Sequence, residues 1–169
     1  MEIKVVSGDI AQVKADALIT AINMSGMWWG GIDDVIQRVA GNLFHNQAAR
    51  KMPLTEGQVV IAYGSINKGL FTNVVFVVDE LSKPLRRVVY AGLKAANEAG
   101  FKSVSLPTIR MGVMLGKVEK TKEKAVAEMV AGVELFKANR GNNASLEEIT
   151  FVVYNNTQTE ALLRQGFNL

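Results

Sequence analysis

The sequence has no cysteine and only one histidine, His45. Without cysteine, disulfide bonds and thiolate metal sites are excluded. A Ser-His-Asp triad would depend on His45, which lies in a helix-like stretch near Arg50 and Lys51 and is better explained as a surface or satisfied helix residue. No helix offers a paired-ligand spacing for a metal beyond the neighbouring Asp33 and Asp34. The sequence therefore predicts neither a metal site nor a cofactor.

Long apolar runs and blocks of one charge are also missing. No run reaches the roughly 18 apolar residues that a membrane span needs, and the first ten residues resemble a strand rather than a signal peptide. The 19 basic and 16 acidic residues are mixed along the chain, and the net charge is +3. This balance is compatible with an anionic ligand, and with RNA, but specifies neither. We expect one soluble, cytoplasmic domain over residues 1–169, with no membrane partner and an undetermined oligomeric state.

Apolar periodicity predicts alternating strands and helices. The predicted strands are Ile3–Val6, Ala15–Ile22, Gln58–Tyr63, Asn73–Val78, Ser103–Leu106 and Ile149–Tyr154. The predicted helices are Ile32–Ala40, Leu43–Met52, Leu85–Ala96, Val118–Phe136 and a terminal helix that begins with a Thr157–Glu160 capping box. The charge run Lys117–Lys124 is predicted to be a solvated helix face. The order of elements predicts an α/β fold, a three-layer α/β/α sandwich with a mixed, largely parallel central sheet.

In such a sheet, ligands bind beyond the carboxyl ends of the strands. Two loops that follow predicted strands there carry glycine. Gly30 and Gly31 stand at the start of a helix, where unpaired N–H groups and the helix dipole favour an anion. Gly112 lies in the second loop, beside Arg110. The two loops would hold two phosphates or one diphosphate, although each alone is more often ordinary turn chemistry.

Five motifs follow one another along the chain: Gly8-Asp9-Ile10, Thr20-Ala21-Ile22-Asn23, the stretch from Gly30-Gly31-Ile32-Asp33 to Ala40-Gly41, the loop Leu106–Gly116, and Val152-Val153-Tyr154-Asn155-Asn156. In this order they resemble the macro domain, an ADP-ribose-binding module, along almost the whole chain. The resemblance implies a cleft at the carboxyl edge of the sheet that binds ADP-ribose, free or attached to a protein.

The resemblance also assigns roles to single residues. Asp9, with the Ile10 amide beside it, would accept the adenine amino group, and Tyr154 would stack on the adenine. The amides of Gly30, Gly31 and Ile32 would bind one phosphate, and those of Arg110, Met111, Gly112 and Val113 the other. Ile109, Met114 and Asn155 complete the implied ligand-binding set. From local sequence alone, an Asx-turn is the preferred explanation of Asp9, and a half-buried strand end is the usual explanation of Tyr154.

Two further residues carry the implied chemistry. Asn23 would hydrogen-bond the distal ribose, and Asp33 would activate water against the ribose C1″ bond, as in hydrolytic members of the family. A turn-forming asparagine and a helix-dipole aspartate are the alternatives. Hydrolysis of mono-ADP-ribosyl or O-acetyl-ADP-ribose esters is thus one expectation, and binding without chemistry is another.

Several positions depart from the family pattern. Trp28 and Trp29 replace glycines of the first loop, Asp34 replaces a usual glycine, and Met111 and Met114 replace a hydroxyl residue and an aromatic residue in the second loop. Two indoles there would either obstruct the diphosphate or form a wall beside the ribose. A third expectation is therefore a diverged macro domain whose obstructed cleft serves as a protein- or RNA-interaction surface.

Overall fold

The computed structural model of the chain describes residues 1–26, 31–64, 70–112 and 114–169. Its strands are β1 (Glu2–Ser7), β2 (Ala15–Ile22), β3 (Val59–Tyr63), β4 (Phe71–Val78), β5 (Ser103–Leu106) and β6 (Glu148–Val153). Its helices are α1 (Ile32–Ala40), α2 (Leu43–Ala49), α3 (Leu85–Glu98), α4 (Lys122–Asn139) and α5 (Thr157–Gly166), together with a short 3-10 helix, Ile10–Gln12. No helix in these parts of the chain is long and apolar enough to cross a membrane.

The strands form a six-stranded sheet in the order β1-β6-β5-β2-β4-β3. Every neighbouring pair is parallel except β3 with β4, which is antiparallel at one edge. The prediction of a mixed, largely parallel sheet is confirmed. The connection between β3 and β4 falls mostly on residues 65–69, which lie outside the described residues. Because five strands run in the same direction, the loops that follow them gather at one edge of the sheet.

The two faces of the sheet bury separate cores, which β2 illustrates. Its residues Ala17, Ile19 and Ala21 belong to the core shared with α3, α4 and α5, whereas Leu18 and Ile22 belong to the core shared with α1 and α2. Alternate residues of a strand point to opposite faces, so a strand covered on both sides is apolar throughout. This explains the nearly continuous apolar run of β2, which only Asp16 and Thr20 interrupt, and confirms the three-layer α/β/α sandwich.

Several predicted helix limits are wrong, and the end of α4 lies at Asn139 rather than Phe136. Helix α4 begins at Lys122, because the Thr121 hydroxyl caps it by accepting a hydrogen bond from the Lys124 amide at 3.1 Å; the predicted start at Val118 is too early. Helix α5 is capped by the Asn156 side chain, which accepts from the Thr159 amide at 3.0 Å, so Thr157 does not form the predicted capping box. Helix α2 ends at Ala49 rather than Met52.

The charge run Lys117–Lys124 is also different from its prediction. Most of its residues precede α4, and the side chain of Glu119 is only 6% exposed and bonded to Arg110. A run of alternating charges normally indicates a solvated helix face. Here the ion pair with Arg110 allows one residue of the run, Glu119, to be buried. The prediction is therefore wrong for Glu119.

Candidate functional site

Loops that follow β1, β2, β5 and β6 enclose a cavity of about 620 Å³ at the carboxyl edge of the sheet. This volume lies within the range of roughly 300–1,000 Å³ typical of small-molecule sites. The predicted ligand-binding residues that line it are Asp9, Ile10, Gly31, Ile32, Ile109, Arg110, Met111, Gly112, Met114 and Tyr154. The cavity therefore brings together residues from every loop that the sequence singled out, although they lie far apart in the chain.

At one end of the cavity, Asp9 follows β1 and begins the short 3-10 helix. Its Oδ1 accepts a hydrogen bond from the Ala11 amide at 2.9 Å, and its Oδ2 accepts one from Arg38 Nη2 at 2.8 Å. The hydrogen bond from Arg38, followed by that from Ala11, holds the pKa of the Asp9 carboxyl below its ordinary value. Asp9 is thus an ionised acceptor at neutral pH. Its turn is also the local Asx geometry that the sequence alone allowed.

The first glycine loop leads into α1, whose amino end opens on the cavity. Gly31 is the residue before the helix, and the first bond of α1 runs from the Val35 amide to the Gly31 carbonyl at 3.4 Å. The N–H groups of the first turn therefore have no acceptor within the helix. Gly31, Asp34, Val35 and Arg38 all line the cavity, which is the spacing of one helical face.

Asp33 lies on the other side of α1 and faces α2. Its Oδ1 is 3.3 Å from Nε2 of His45, and it accepts no well-aligned hydrogen bond within the described parts of the chain. Burial lowers the pKa of His45, and the nearby Asp33 charge only partly opposes this effect. Asp34, the other acidic residue of this turn, is among the residues that line the cavity.

The second glycine loop follows β5 and Pro107. Arg110 adopts a left-handed backbone conformation, with φ of 64°. Within the loop, the Met111 amide donates to the Thr108 carbonyl at 3.2 Å, and the Leu115 amide donates to the Gly112 carbonyl at 3.1 Å. The amides of Arg110, Gly112 and Met114 donate to no residue in the described parts of the chain. These three residues also line the cavity, which makes their amides the candidates in this loop for contact with an anion.

The side chain of Arg110 turns into the protein and is 1% exposed. Its Nε and Nη2 bind Asp79, which follows β4, at 2.9 and 2.7 Å, and its Nη1 binds Glu119 at 3.0 Å. Burial acts to lower the pKa of Arg110, but the hydrogen bonds and charges of Asp79 and Glu119 outweigh it and raise that pKa above its ordinary value. Arg110 is a permanent cation whose charge is used inside the fold.

Tyr154 stands at the end of β6, and its side chain is among the most exposed apolar groups of the described chain, at 79%. The next residue, Asn155, has φ of 48° and is not among the described lining residues, whereas Asn156 caps α5 and does line the cavity. An exposed aromatic ring at the mouth of a cavity offers a flat apolar face to a planar ligand.

The structure places the remaining predicted residues elsewhere or does not describe them. Asn23 forms a turn, in which its Oδ1 accepts from the Ser25 amide at 2.9 Å. Neither Asn23 nor Asp33 is among the described residues that line the cavity. Gly30 and Val113 lie outside the described residues, as do Trp28 and Trp29.

Sequence reasoning missed some residues of the cavity wall, mainly Arg38, Asn156 and Thr159. Arg38 was within reach of a helical-face argument, since it lies seven positions after Gly31. Asn156 and Thr159 depend on where α5 begins, which was predicted incorrectly. The pairing of Arg110 with Asp79 could not be predicted from local sequence, because the two residues lie 31 positions apart in the chain.

Comparison with known proteins agrees with the geometry. The chain is 30% identical over 168 residues to an uncharacterised protein of Aquifex aeolicus, across 95% of each chain. It is also 30% identical over 125 residues to an Escherichia fergusonii protein named O-acetyl-ADP-ribose deacetylase, across 66% of this chain and 68% of the relative.

The fold is similar to solved macrodomains. A Trypanosoma brucei macrodomain in complex with ADP-ribose matches with a TM-score of 0.80 at 20% identity, over 97% of this chain and 68% of the other. An Oceanobacillus iheyensis macrodomain with ADP matches with a TM-score of 0.70 at 18% identity, over 97% and 88%. The family model described as Macro domain matches residues 19–125, more than half of the sequence. The chain therefore belongs to the macro domain family.

Proposed function

We propose that this protein binds ADP-ribose in the cavity at the carboxyl edge of its sheet. The adenine lies towards Asp9 and Tyr154, and the diphosphate lies between the amino end of α1 and the loop around Gly112. The observation that carries the proposal is the meeting of these two backbone elements in one cavity of about 620 Å³, where amides of both donate to no described residue. Family membership and the ADP-ribose complex of a similar fold support the choice of ligand.

The charges around the cavity favour recognition by the backbone rather than by cationic side chains. Arg110 is neutralised by Asp79 and Glu119, and Arg38 is paired with Asp9. Asp34 adds a negative charge to the lining. A diphosphate would therefore depend on main-chain N–H groups and the α1 dipole. These act most strongly next to glycine, because without a Cβ an anion can approach the backbone closely.

Isothermal titration calorimetry with ADP-ribose tests the proposal. We expect a dissociation constant of about micromolar order, equivalent to roughly 8 kcal/mol of binding free energy. ADP should retain most of the affinity, and adenosine should lose most of it because it lacks the diphosphate. The absence of heat up to millimolar ADP-ribose would contradict the proposal. The alternative would then be a macro domain whose cleft is obstructed and whose surface contacts protein or RNA.

Hydrolysis of O-acetyl-ADP-ribose or of mono-ADP-ribosyl esters is the second candidate function. The named deacetylase among the relatives supports it, as does the position of Asp33 in the first turn of α1, between the cavity-lining residues Ile32 and Asp34. In this candidate, Asp33 activates a water and Asn23 holds the distal ribose. The contact of Asp33 with His45 opposes it, because that carboxylate would have to turn to reach the cavity.

Release of ADP-ribose from O-acetyl-ADP-ribose, followed by chromatography, tests this second candidate. Asp33→Ala should abolish the release and leave ADP-ribose affinity mostly intact, whereas Asp34→Ala should preserve the release. No release by the unaltered protein, or equal loss of release and affinity in Asp33→Ala, would rule out hydrolysis through Asp33. ADP-ribose attached to a carboxylate side chain of a protein is the corresponding macromolecular substrate.

A further inference from the structure

Arg110 is unusual for a residue of a phosphate-binding loop, because its charge is directed away from the cavity. Its side chain is 1% exposed, and those of Asp79 and Glu119 are 0% and 6% exposed. We call these three residues the Arg110 clamp. The guanidinium directs its Nε, Nη1 and Nη2 donors to two carboxylates, so its charge is compensated inside the fold rather than offered to a ligand.

The geometry of the clamp is that of a fork with two arms. Nε and Nη2 of Arg110 donate to the two oxygens of Asp79 at 2.9 and 2.7 Å. Nη1 donates to Glu119 Oε1 at 3.0 Å and to Oε2 at 3.3 Å. Planar, bidentate pairing of this kind fixes orientation as well as distance, which a lysine cannot reproduce.

Each carboxylate is itself tied to a rigid element. The Asp79 amide donates to the Ile22 carbonyl at the end of β2, and the Glu119 Oε2 accepts from the amide of Leu85, the first residue of α3, at 3.1 Å. Since β2 lies between β5 and β4 in the sheet, the Arg110 side chain links strand ends that are not neighbours. The clamp thus anchors the loop to the sheet and to a helix.

The clamp also controls both ends of the segment that lines the cavity. Arg110 precedes Met111, Gly112 and Met114, and Glu119 follows them; the Gly116 amide donates to the Glu119 carbonyl at 2.9 Å. Arg110 holds a left-handed φ of 64°, which a non-glycine residue adopts only when its surroundings impose it. The clamp supplies that constraint, because moving the Arg110 side chain away would leave two buried carboxylates without their cation.

We propose that the Arg110 clamp is a positioning device for the second phosphate-binding loop, and that it sets the direction of the Gly112 and Met114 amides before a ligand arrives. This inference rests on the proposed binding of ADP-ribose. Arg110 is a positioning residue and its guanidinium does not touch the phosphate. A loop that is already ordered avoids the cost of being ordered by the ligand.

The test combines Arg110→Lys and Glu119→Gln with a matched control, Glu128→Gln. Glu128 forms a more exposed bidentate pair with Arg86, at 2.8 and 2.9 Å, that joins α3 to α4, and neither residue is among the described residues that line the cavity. The Glu128 charge also acts on Arg110, so Glu128→Gln removes a nearby negative charge while leaving both arms of the clamp. Arg110→Lys keeps the positive charge and loses the fork. Glu119→Gln removes one arm and one buried negative charge, so it keeps the Arg110–Asp79 pair and is the milder change for folding.

Two measurements are made on each variant. Hydrogen exchange of the amides between residues 111 and 116 in the unliganded protein reports loop order, and calorimetry reports affinity for ADP-ribose and for adenosine. If the loop is competent only about a tenth of the time, affinity for ADP-ribose falls roughly tenfold. We expect that loss and faster exchange in both clamp variants, unchanged adenosine binding, and no change in Glu128→Gln.

The outcomes separate this inference from the proposed function. If the unaltered protein binds ADP-ribose, and Arg110→Lys and Glu119→Gln show the same affinity and the same amide exchange, the clamp does not position the loop. The proposed function would still stand. Failure of the unaltered protein to bind ADP-ribose would overturn the proposed function and with it the role of the clamp in binding. If Arg110→Lys does not fold, Glu119→Gln alone decides between these results.

Discussion

Replacing Gly112 by alanine separates the stability of the fold from the binding of the ligand. Gly112 lines the cavity, its φ lies outside the left-handed region, and a Cβ built on it meets no described atom within 4 Å. The folded protein therefore accepts the methyl group, and unfolding stability should stay the same or rise by about 0.4–1 kcal/mol because the unfolded chain loses freedom. A phosphate that approaches the Gly112 amide meets the methyl group instead.

The loss of affinity follows from the hydrogen bond at stake. A hydrogen bond to a charged group contributes about 1.5–3 kcal/mol, and 1.4 kcal/mol corresponds to roughly a tenfold change in affinity. Gly112→Ala should therefore weaken ADP-ribose binding by roughly ten- to a hundredfold in calorimetry, while urea denaturation shows no loss of stability.

Gly141→Ala is the matched control for this prediction. Gly141 has φ of 74° and lies in the loop before β6, at the opposite end of the sheet from the cavity. A left-handed alanine costs about 1–2 kcal/mol, so this variant should lose stability and keep its affinity. Unchanged affinity in Gly112→Ala, or loss of stability without loss of affinity, would refute the reasoning.

Three further predictions concern packing, pH and charge. Gly132→Ala should lower the unfolding free energy by about 1–3 kcal/mol in urea denaturation, because the new Cβ would lie 2.7 Å from Cβ of Val89 where α4 packs on α3; equal stability would contradict that contact. Burial lowers the pKa of His45 below its ordinary 6.5. As pH falls through 6.5, His45 therefore takes up a proton in the unfolded chain before it does so in the native state, and the native state loses stability. Melting temperatures should show stability lost below that pH in the wild type and a flatter profile in His45→Gln, and parallel profiles would argue against the shift. Asp34→Asn should tighten ADP-ribose binding by about 1 kcal/mol through removal of a like charge, and weaker binding in calorimetry would contradict the position of that carboxylate at the diphosphate.

The layers of the fold were predictable because each rests on local patterns. The apolar run Ala15–Ile22 predicted a strand buried on both faces, and β2 has those limits. Helix α1 lies between Gly31 and Gly41, and Gly41 has φ of 57°, as expected of a stop. Alternation of such elements leaves few architectures other than a parallel sheet covered on both sides.

Helix starts were harder to predict because adjacent residues compete to be the cap. Asn156 and Thr157 are both good N-caps, and the choice depends on where β6 ends and on the packing of α5. The start of α4 after Thr121 was also hard to predict, because the charged residues before Thr121 are equally compatible with a helix. Local sequence contains both alternatives, and tertiary packing selects one.

The cavity itself was predictable in outline, since strand order and direction bring the loops to one edge. The orientation of individual side chains was not. Asp33 and Asp34 are neighbours in the sequence, yet one contacts His45 in α2 and the other lines the cavity. The burial of Glu119 depends on Arg110 and Asp79, whose pairing over 31 residues has no periodic signature.

The central claim is that two backbone elements, the start of α1 and the loop around Gly112, bind one diphosphate together. A titration of ¹⁵N-labelled protein with ADP-ribose tests it most directly, because amide chemical shifts report each N–H separately. We expect the largest shifts at Gly31, Ile32, Gly112 and Met114, with no shift at Gly141. Shifts confined to one of the two elements, or centred elsewhere on the protein, would contradict it.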